Sequence, residues 1–445
     1  MSLYKTGRRV LVVGCLAGTL ALTACSGGGS GNATSSGTTG GSAAAQTITY
    51  LVDNSENAVN QTQALIAAFH TAHPEITVQM ETRAQGTDGD NIVKTKLATG
   101  EMEDVFAYNS GSLFTALDPA KNLVDLTGEA YMANLTDSFK TAVTTGGKVY
   151  GVPSGTSDGG GILYNKKIYE QLGLKVPKTW DEFMANCQKI KDAGIAPVIQ
   201  TYGDTWTSQL FVLADFYNIS QQDAKWAENY TANKAKYADE PALTSFKRLQ
   251  AVYDAGYLNK DFASATNSQG LQQLVDGTGA HYPMLTWVVG TYVALNPDAA
   301  NYIGFFAQPG DDAAKNGLTA WVSGGVYIPT TTTGDKLAAA KTFLGWLATP
   351  AACEASAAAL APTGPYNVKG CSVPADSPQA VLDLQQYFTD GNVGVALEFL
   401  SPLKGPNLEK ITVEVGSGMT PAAAGAAAYD EDVKKQAQQL ALPGW

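Results

Sequence analysis

The sequence predicts an α/β fold with two domains, and three observations indicate it. Strand-like and helix-like patterns alternate along the first part of the main body, which favours a mostly parallel sheet. The body extends from about Gln46 to Trp445 and exceeds the length that one typical hydrophobic core supports. Three consecutive glycines, Gly159–Gly161, separate two strand-like segments and indicate a crossing between domains.

Residue spacing and turn signals predict the first elements in order. The strand-like segments are Ile48–Val52, Ile76–Met80, Val105–Tyr108, Val149–Val152 and Ile162–Tyr164. A helix follows the first strand and ends at His73-Pro74, and Gly100 closes a second helix. Thr179 and Glu182 have the spacing of a capping box, which predicts a helix that begins at Trp180.

The N-terminus carries an export signal. Three basic residues precede an apolar run from Val10 to Leu22, which is too short for a spanning helix of about 20 residues. The run ends in Leu-Thr-Ala-Cys, which resembles a bacterial lipobox cut before Cys25. We therefore predict a lipoprotein signal peptide at residues 1–24 and lipidation of Cys25, with an ordinary secretory signal as the alternative.

Residues 25–45 consist almost entirely of Gly, Ser, Thr and Ala after the cysteine. Such a composition cannot form a core, so we predict a flexible tether with a reach of roughly 25 Å. The expected arrangement is an extracellular body that is anchored to the cell membrane through the lipid alone.

Charge and composition exclude several partners. The formal net charge is -12, which disfavours nucleic acid and anionic membrane surfaces. After the signal peptide the sequence has only two arginines, Arg83 and Arg248, which argues against a ligand with several anionic groups. The histidines His70, His73 and His281 are scattered, so we expect no metal site. We also expect no cofactor and a monomeric protein.

Three cysteines follow the predicted lipidation site. An exported context permits a disulfide between Cys353 and Cys371, and a loop of about 19 residues closed in this way would contribute roughly 3 kcal/mol. Cys187 falls on the apolar stripe of a helical pattern and is predicted to be a buried thiol.

Polar residues follow two predicted strands at the point where each ends. Asp53 and Asn54 come after the first strand, while Tyr108, Asn109 and Ser110 end the third and begin the turn that follows it. Ligands of parallel α/β sheets gather beyond the carboxyl ends of the strands. These five residues are therefore candidate ligand contacts, although Asp and Asn also cap helices at such positions.

Several motifs carry a resemblance to a known family. The spacing from GKVYGVP through Tyr164-Asn165-Lys166 to PKTWDEF is similar to that of the family 1 extracellular solute-binding proteins of ABC importers, which have the maltose-binding protein fold. The segments EDVFAYNSG, IGFFAQPGD and WVSGGVYIPTTTTGDKLAAAKTFLGWL follow in the order of that family. The resemblance weakens after about Ala355.

The resemblance implies a periplasmic-binding-protein-like fold, in which two α/β lobes are joined by hinge crossings and hold the ligand in the cleft. It places the crossings near Ser154–Asp158, Thr319–Ser323 and Ala361–Pro365. Lobe 1 would then comprise 46–155 and 322–362, and lobe 2 would comprise 156–321 and 363–445. An ABC permease would be the membrane partner.

A neutral sugar is recognised by aromatic side chains that stack on its rings, together with carboxylate and amide groups that bind its hydroxyl groups. The family places stacking aromatics at positions like Trp206 and Trp287, and Trp321 opens a strand-end motif. By the same resemblance Asp158 supplies a cleft carboxylate, and Glu398 is a further candidate in the weakly similar C-terminal part. The alternatives are core packing for the tryptophans and a turn role for Asp158.

The leading hypothesis is a non-enzymatic receptor that captures a neutral sugar or oligosaccharide for import. A lipid-anchored glycoside hydrolase is the alternative from another class and would need two carboxylates across a cleft. No motif pairs such carboxylates, and H-E-x-x-H does not occur in the sequence. A polyamine receptor and a surface sensor also remain open.

Overall fold

The computed structural model describes residues 45–445, so the predicted signal peptide, the lipidation site Cys25 and nearly all of the tether lie outside the described residues. The strands are β1 (Gln46–Asp53), β2 (Ile76–Arg83), β3 (Val105–Tyr108), β4 (Thr144–Thr145), β5 (Lys148–Val149), β6 (Gly151–Pro153), β7 (Asp158–Asn165), β8 (Ala196–Val198), β9 (Gly279–Leu285), β10 (Ile303–Ala307), β11 (Leu318–Trp321), β12 (Gly325–Tyr327) and β13 (Val393–Val395).

The helices of the first half are α1 (Glu56–Ala72), α2 (Gly86–Thr99), α3 (Ser112–Thr115), α4 (Pro119–Asn122), α5 (Asp137–Ala142), α6 (Lys166–Leu172), α7 (Trp180–Asp192), α8 (Leu210–Leu213), α9 (Phe216–Ser220) and α10 (Trp226–Thr231). Those of the second half are α11 (Leu243–Asp254), α12 (Asn267–Asp276), α13 (Val289–Leu295), α14 (Ala299–Tyr302), α15 (Gly334–Leu347), α16 (Pro350–Ala359), α17 (Gln379–Asp390), α18 (Leu408–Gly416) and α19 (Ala422–Gln439). Among residues 45–445, no helix is both long and apolar enough to cross a bilayer.

Local sequence signals set several of these boundaries. The Ser55 side chain accepts a hydrogen bond from the Ala58 backbone N–H at 3.3 Å and so caps α1. Gly100 ends α2 in the left-handed conformation, with φ of 74°. The predicted capping box of Thr179 and Glu182 is present at the start of α7.

Two main sheets divide the described chain. The first sheet has the order β2-β1-β3-β12-β6. Strands β1, β2 and β3 are parallel to one another, as the sequence predicts, but β12 runs antiparallel to both β3 and β6. In the second sheet β7 pairs in antiparallel fashion with β9, β10 and β11, and the pairs β8–β9 and β11–β13 are parallel. The sheets are therefore mixed and not mostly parallel.

Each sheet has its own hydrophobic core. The first core covers the first sheet and contains side chains such as Phe69, Phe106 and Phe343, each fully buried. The second sheet is covered on both faces, because alternate residues of β7 point to opposite sides. Ile162 belongs to a second core and Leu163 to a third. Separate cores on separate sheets give the two-lobe fold.

The glycine run does not itself form the interdomain crossing that the sequence predicts. Gly159, Gly160 and Gly161 lie inside β7, which begins at Asp158. A Cβ atom at Gly160 would lie 2.2 Å from the indole carbon Cζ3 of Trp321, and one at Gly159 would lie 2.2 Å from a methyl group of Leu384. The glycines are needed because large side chains cross this strand, so the prediction that they form the crossing was wrong.

The chain passes between the lobes near three positions. The first crossing lies between β6 and β7, and the second lies between β11 and β12. After α16, Tyr366, Val368 and Cys371 still pack against the first core, whereas Val373 packs against the third. These residues were assigned to lobe 2 from the sequence, but the apolar side chain of Val368 is buried in lobe 1.

The described residues include one disulfide and one free cysteine. Cys353 of α16 and Cys371 form a disulfide with an S–S distance of 2.02 Å. Cys187 is a free, buried thiol, as predicted. Its Sγ atom lies 3.8 Å from Nδ1 of His281, and burial raises the pKa of the thiol.

Candidate ligand-binding site

Asp158 lies at the first residue of β7, where the first crossing enters the second sheet. Its backbone is opposite Trp321 in the β7–β11 pairing. The hydroxyl of Thr363 donates to Oδ1 of Asp158 at 2.7 Å, and the hydroxyl of Thr286 donates to the same atom at 3.4 Å. The Gly159 N–H donates to Thr286 in turn, at 3.0 Å. The carboxylate is therefore fixed by groups from two distant parts of the chain.

The environment of Asp158 changes its protonation. Burial raises the pKa of this carboxyl group to about 7, and the hydrogen bonds from Thr363 and Thr286 act in the opposite direction. Near neutral pH the group can consequently donate or accept a hydrogen bond. This dual capacity suits recognition of hydroxyl groups.

Two tryptophans form an aromatic surface, and one of them, Trp287, directly follows the Thr286 that binds this carboxylate. β9 ends at Leu285, and the chain then forms a 3-10 turn at Thr286–Val288 that presents Trp287. The ring centroids of Trp287 and Trp206 are 5.7 Å apart, with an angle of 35° between the planes. Trp287 is 44% exposed. An exposed indole supported by a second indole can stack against the apolar face of a ring.

Trp321 is opposite Asp158 in the β7–β11 pairing, and Glu398 lies near Trp321. The Trp321 ring lies across Gly160 and shares the lining of a small cavity with Glu398. Lys404 forms an ion pair with Glu398 at 3.3 Å. Trp321 is partly buried, so it packs on the sheet and also borders the cavity. Glu398 already has a charged partner, which reduces its freedom to contact a ligand.

In lobe 1 the candidate residues at the ends of β1 and β3 serve different purposes. Oδ1 of Asp53 accepts the Ser55 N–H at 2.9 Å and thereby shapes the turn before α1. Asn54 is exposed and accepts a hydrogen bond from Gln85 at 3.4 Å. Tyr108 is buried, and its hydroxyl group has no hydrogen-bond partner among residues 45–445. Burial also raises the pKa of Tyr108.

Asn109 and Ser110 lead from β3 towards the second lobe. The Asn109 carbonyl oxygen accepts a hydrogen bond from the Tyr327 hydroxyl at 3.0 Å, while its side chain is exposed. The Ser110 hydroxyl is buried and donates to the Ser323 carbonyl oxygen at 2.8 Å. Ser110 therefore ties β3 to the second crossing, and Asn109 is the freer side chain of the two.

The structure brings the candidates together in two groups. The lobe 2 group contains Asp158, Trp206, Trp287, Trp321 and Glu398, and the lobe 1 group contains Asp53, Asn54, Tyr108, Asn109 and Ser110. The groups approach each other where Gly111 meets the backbone of Glu398 and the ring of Phe399, beside a cavity of about 200 Å³.

Three further residues belong to this region and were not found from the sequence. Thr286 and Thr363 hold the Asp158 carboxylate, and Arg83 places its guanidinium 5.7 Å from the centre of the Tyr108 ring. Only Thr286 could have been suggested by the sequence, because it is next to the candidate residue Trp287. No group of three or more His, Cys, Asp or Glu side chains within residues 45–445 is placed to hold a metal ion.

Comparison with known proteins assigns the family. Residues 53–353 match the sequence model of the bacterial extracellular solute-binding proteins. The chain belongs to this family. As an extracellular solute-binding protein, it shares its fold with RafE from Streptococcus pneumoniae in the apo form, with a TM-score of 0.73 at 20% identity over 88% of this chain and 99% of that chain.

Two relatives of this solute-binding protein are named for the sugars that they bind. The multiple sugar-binding protein of Streptococcus mutans is 28% identical over 260 residues, and the match spans 57% of this chain and 60% of that protein. The diacetylchitobiose binding protein DasA of Streptomyces coelicolor is 26% identical over 316 residues, or 69% of this chain and 71% of that protein.

Proposed function

We propose that this protein captures a neutral sugar or oligosaccharide outside the cell by lobe closure and delivers it to an ABC permease. The single observation that carries the proposal is that the exposed Trp287, which packs on Trp206, directly follows Thr286, whose hydroxyl binds the Asp158 carboxylate. Indoles match the C–H faces of sugar rings, and a fixed carboxyl group matches their hydroxyl groups. The sugar-binding relatives support this ligand class.

Residue chemistry favours an uncharged ligand over an anionic one. Arg248 is buried and binds Asp215 and Asp311. The guanidinium group of Arg83 donates to the Ala84 carbonyl oxygen at 3.0 Å. Both arginines of the described chain therefore have partners within the protein.

Calorimetric titration against a panel of neutral oligosaccharides tests the proposal. One or more should bind, and a ligand at 100 times its Kd should raise the free energy of unfolding by about 2.7 kcal/mol. A polyamine included in the panel tests the alternative ligand class. Failure of every sugar to bind, with binding of the polyamine instead, would refute the sugar proposal.

We further propose that the protein has no hydrolase activity. A hydrolase needs two carboxylic groups roughly 5 to 10 Å apart across the scissile bond. Asp158 is held by threonines, and Glu398 is paired with Lys404. Incubation with the bound oligosaccharide should leave it intact, and the appearance of shorter products would contradict this proposal.

The remaining proposals concern location and assembly. We propose that lipidated Cys25 anchors a monomeric receptor to the cell membrane, which keeps it near its permease. Cys25→Ser should release the protein into the medium, with the wild-type chain as the control. Continued fractionation of the variant with membranes would contradict the anchor, and a dimer in analytical ultracentrifugation would contradict the monomer.

A further inference from the structure

One side chain of lobe 1 contacts two of the interlobe crossings. Asn367 lies after α16, on the lobe 1 segment that precedes the third crossing, and is only 2% exposed. Its Oδ1 atom accepts a hydrogen bond from the Ser157 hydroxyl at 2.8 Å, in the first crossing. Its Nδ2 group donates to the Ser323 hydroxyl at 3.2 Å, in the second crossing, and reaches the Gly155 carbonyl oxygen at 3.4 Å.

The backbone around Asn367 is fixed to lobe 1. The Thr136 N–H donates to the Asn367 carbonyl oxygen at 2.9 Å, and Val368 forms a bridge with Leu135. The Cys353–Cys371 disulfide then fastens the end of this segment to α16. Because of these contacts, the Asn367 amide is a rigid point of lobe 1 from which both strand crossings are held.

The two partners of the amide are close in sequence to candidate ligand contacts. Ser157 precedes Asp158, and Ser323 follows Trp321 by two residues. Ser323 also accepts the Ser110 hydroxyl through its carbonyl oxygen. A change in the Asn367 hydrogen bonds would therefore alter the relative placement of groups from both lobes without touching any ligand.

We propose that Asn367 is the positioning residue of the hinge, which ties the first two crossings to lobe 1 and thereby sets the interlobe orientation in which ligand is first received. This inference rests on the proposed function, because it assumes that the protein captures a ligand between its lobes. The shared amide limits the range of orientations of the ligand-free protein. A receptor that samples fewer non-binding orientations has a smaller conformational cost to overcome on binding.

The experiment compares Asn367→Ala with a matched control, Asn134→Ala. Asn134 lies in lobe 1, and its Nδ2 group donates to the Ala348 carbonyl oxygen at 3.1 Å and not to a group of the crossings. Its backbone carbonyl, which accepts the Lys369 N–H, is kept in the variant. Nitroxide labels at exposed positions 94 and 189, on α2 and α7, report the interlobe distance by double electron–electron resonance. Circular dichroism of each sample in solution, before it is frozen for the distance measurement, establishes that the variant is folded.

The Asn367→Ala variant should broaden or shift the ligand-free distance distribution and raise the sugar Kd by roughly two- to thirtyfold. Asn134→Ala should leave both quantities unchanged even if its melting temperature falls. Should Asn367→Ala fail to fold, Ser157→Ala removes one link and should shift the distances in the same direction. Wild-type distances in the folded Asn367 or Ser157 variant would overturn the proposal.

The two readouts separate this proposal from the proposed function. The interlobe distance is measured without ligand, so it tests the hinge role whichever solute the protein binds. If no sugar binds but the distances change, the sugar proposal fails and the positioning role of Asn367 holds. If sugar binds and the distances do not change, the positioning role fails alone.

Discussion

Ligand affinity should depend on pH near neutrality because of Asp158. Burial raises the pKa of this group to about 7. Sugar hydroxyl groups that donate to the carboxylate favour its ionised form, so binding lowers the pKa and releases a proton below neutral pH. Affinity should therefore increase as the pH rises towards 8 and then reach a plateau.

The size of the effect follows from the fraction of ionised Asp158 in the free protein. With a pKa of about 7, about one-tenth of the molecules are ionised at pH 6 and about nine-tenths at pH 8. If the ionised form is the competent one, the apparent Kd should fall by about tenfold across this interval. The quenching of Trp206 and Trp287 fluorescence by ligand gives the Kd at each pH.

The stability of the ligand-free protein should change in the opposite direction. The folded pKa of about 7 lies above the ordinary value for an aspartate of about 3.9, so the folded state keeps this proton to higher pH. The contribution to stability is complete below pH 4 and is lost as the pH rises to about 7. The difference between wild type and Asp158→Asn isolates this contribution from those of other buried carboxyl groups.

The Asp158→Asn variant provides the control, because an amide has a similar shape and does not titrate. It should show one Kd at pH 6 and pH 8. A wild-type Kd that does not vary with pH would refute the proposed role of the ionised carboxylate. A variant that keeps the wild-type pH dependence would assign that dependence to another group.

Three other predictions address the site and the fold. Trp287→Ala should raise the sugar Kd by about 30-fold, equivalent to about 2 kcal/mol, with little effect on the fold since the indole is 44% exposed; an unchanged Kd in calorimetry would exclude the residue from the site. The double variant Cys353→Ser, Cys371→Ser should lose about 3 kcal/mol in urea unfolding, and an unchanged midpoint would contradict this. Arg248→Ala should cost about 3–5 kcal/mol because it leaves Asp215 buried without its partner, and a loss below 1 kcal/mol in the same assay would contradict it.

The elements that the sequence predicted well are those with short-range causes. The strand at Val105–Tyr108 has the predicted bounds, and the capping box of Thr179 and Glu182 begins α7. A local pattern of apolar residues, or a cap three residues from its partner, is sufficient for such assignments. The family resemblance added the two-lobe fold, which local patterns do not specify.

The parts that the sequence did not reveal depend on contacts between distant residues. Thr363 holds Asp158 across 205 positions in the chain, and no local feature marks a threonine for that role. Gly159–Gly161 were assigned to a turn because glycine is common in turns. In the structure the same residue type makes room for the Trp321 and Leu384 side chains, and that requirement is visible only once both partners are placed.

The glycine strand limits how the binding preference of this receptor can diversify. Because β7 accepts no side chain at three successive positions, single substitutions there would displace the indole of Trp321 or a neighbouring side chain instead of reshaping the pocket. In the proposed site, altered selectivity is more accessible through the turns that bear Trp206 and Trp287. For biosensor engineering, the glycines of β7 should therefore be kept, and the two tryptophan-bearing turns are the positions to vary.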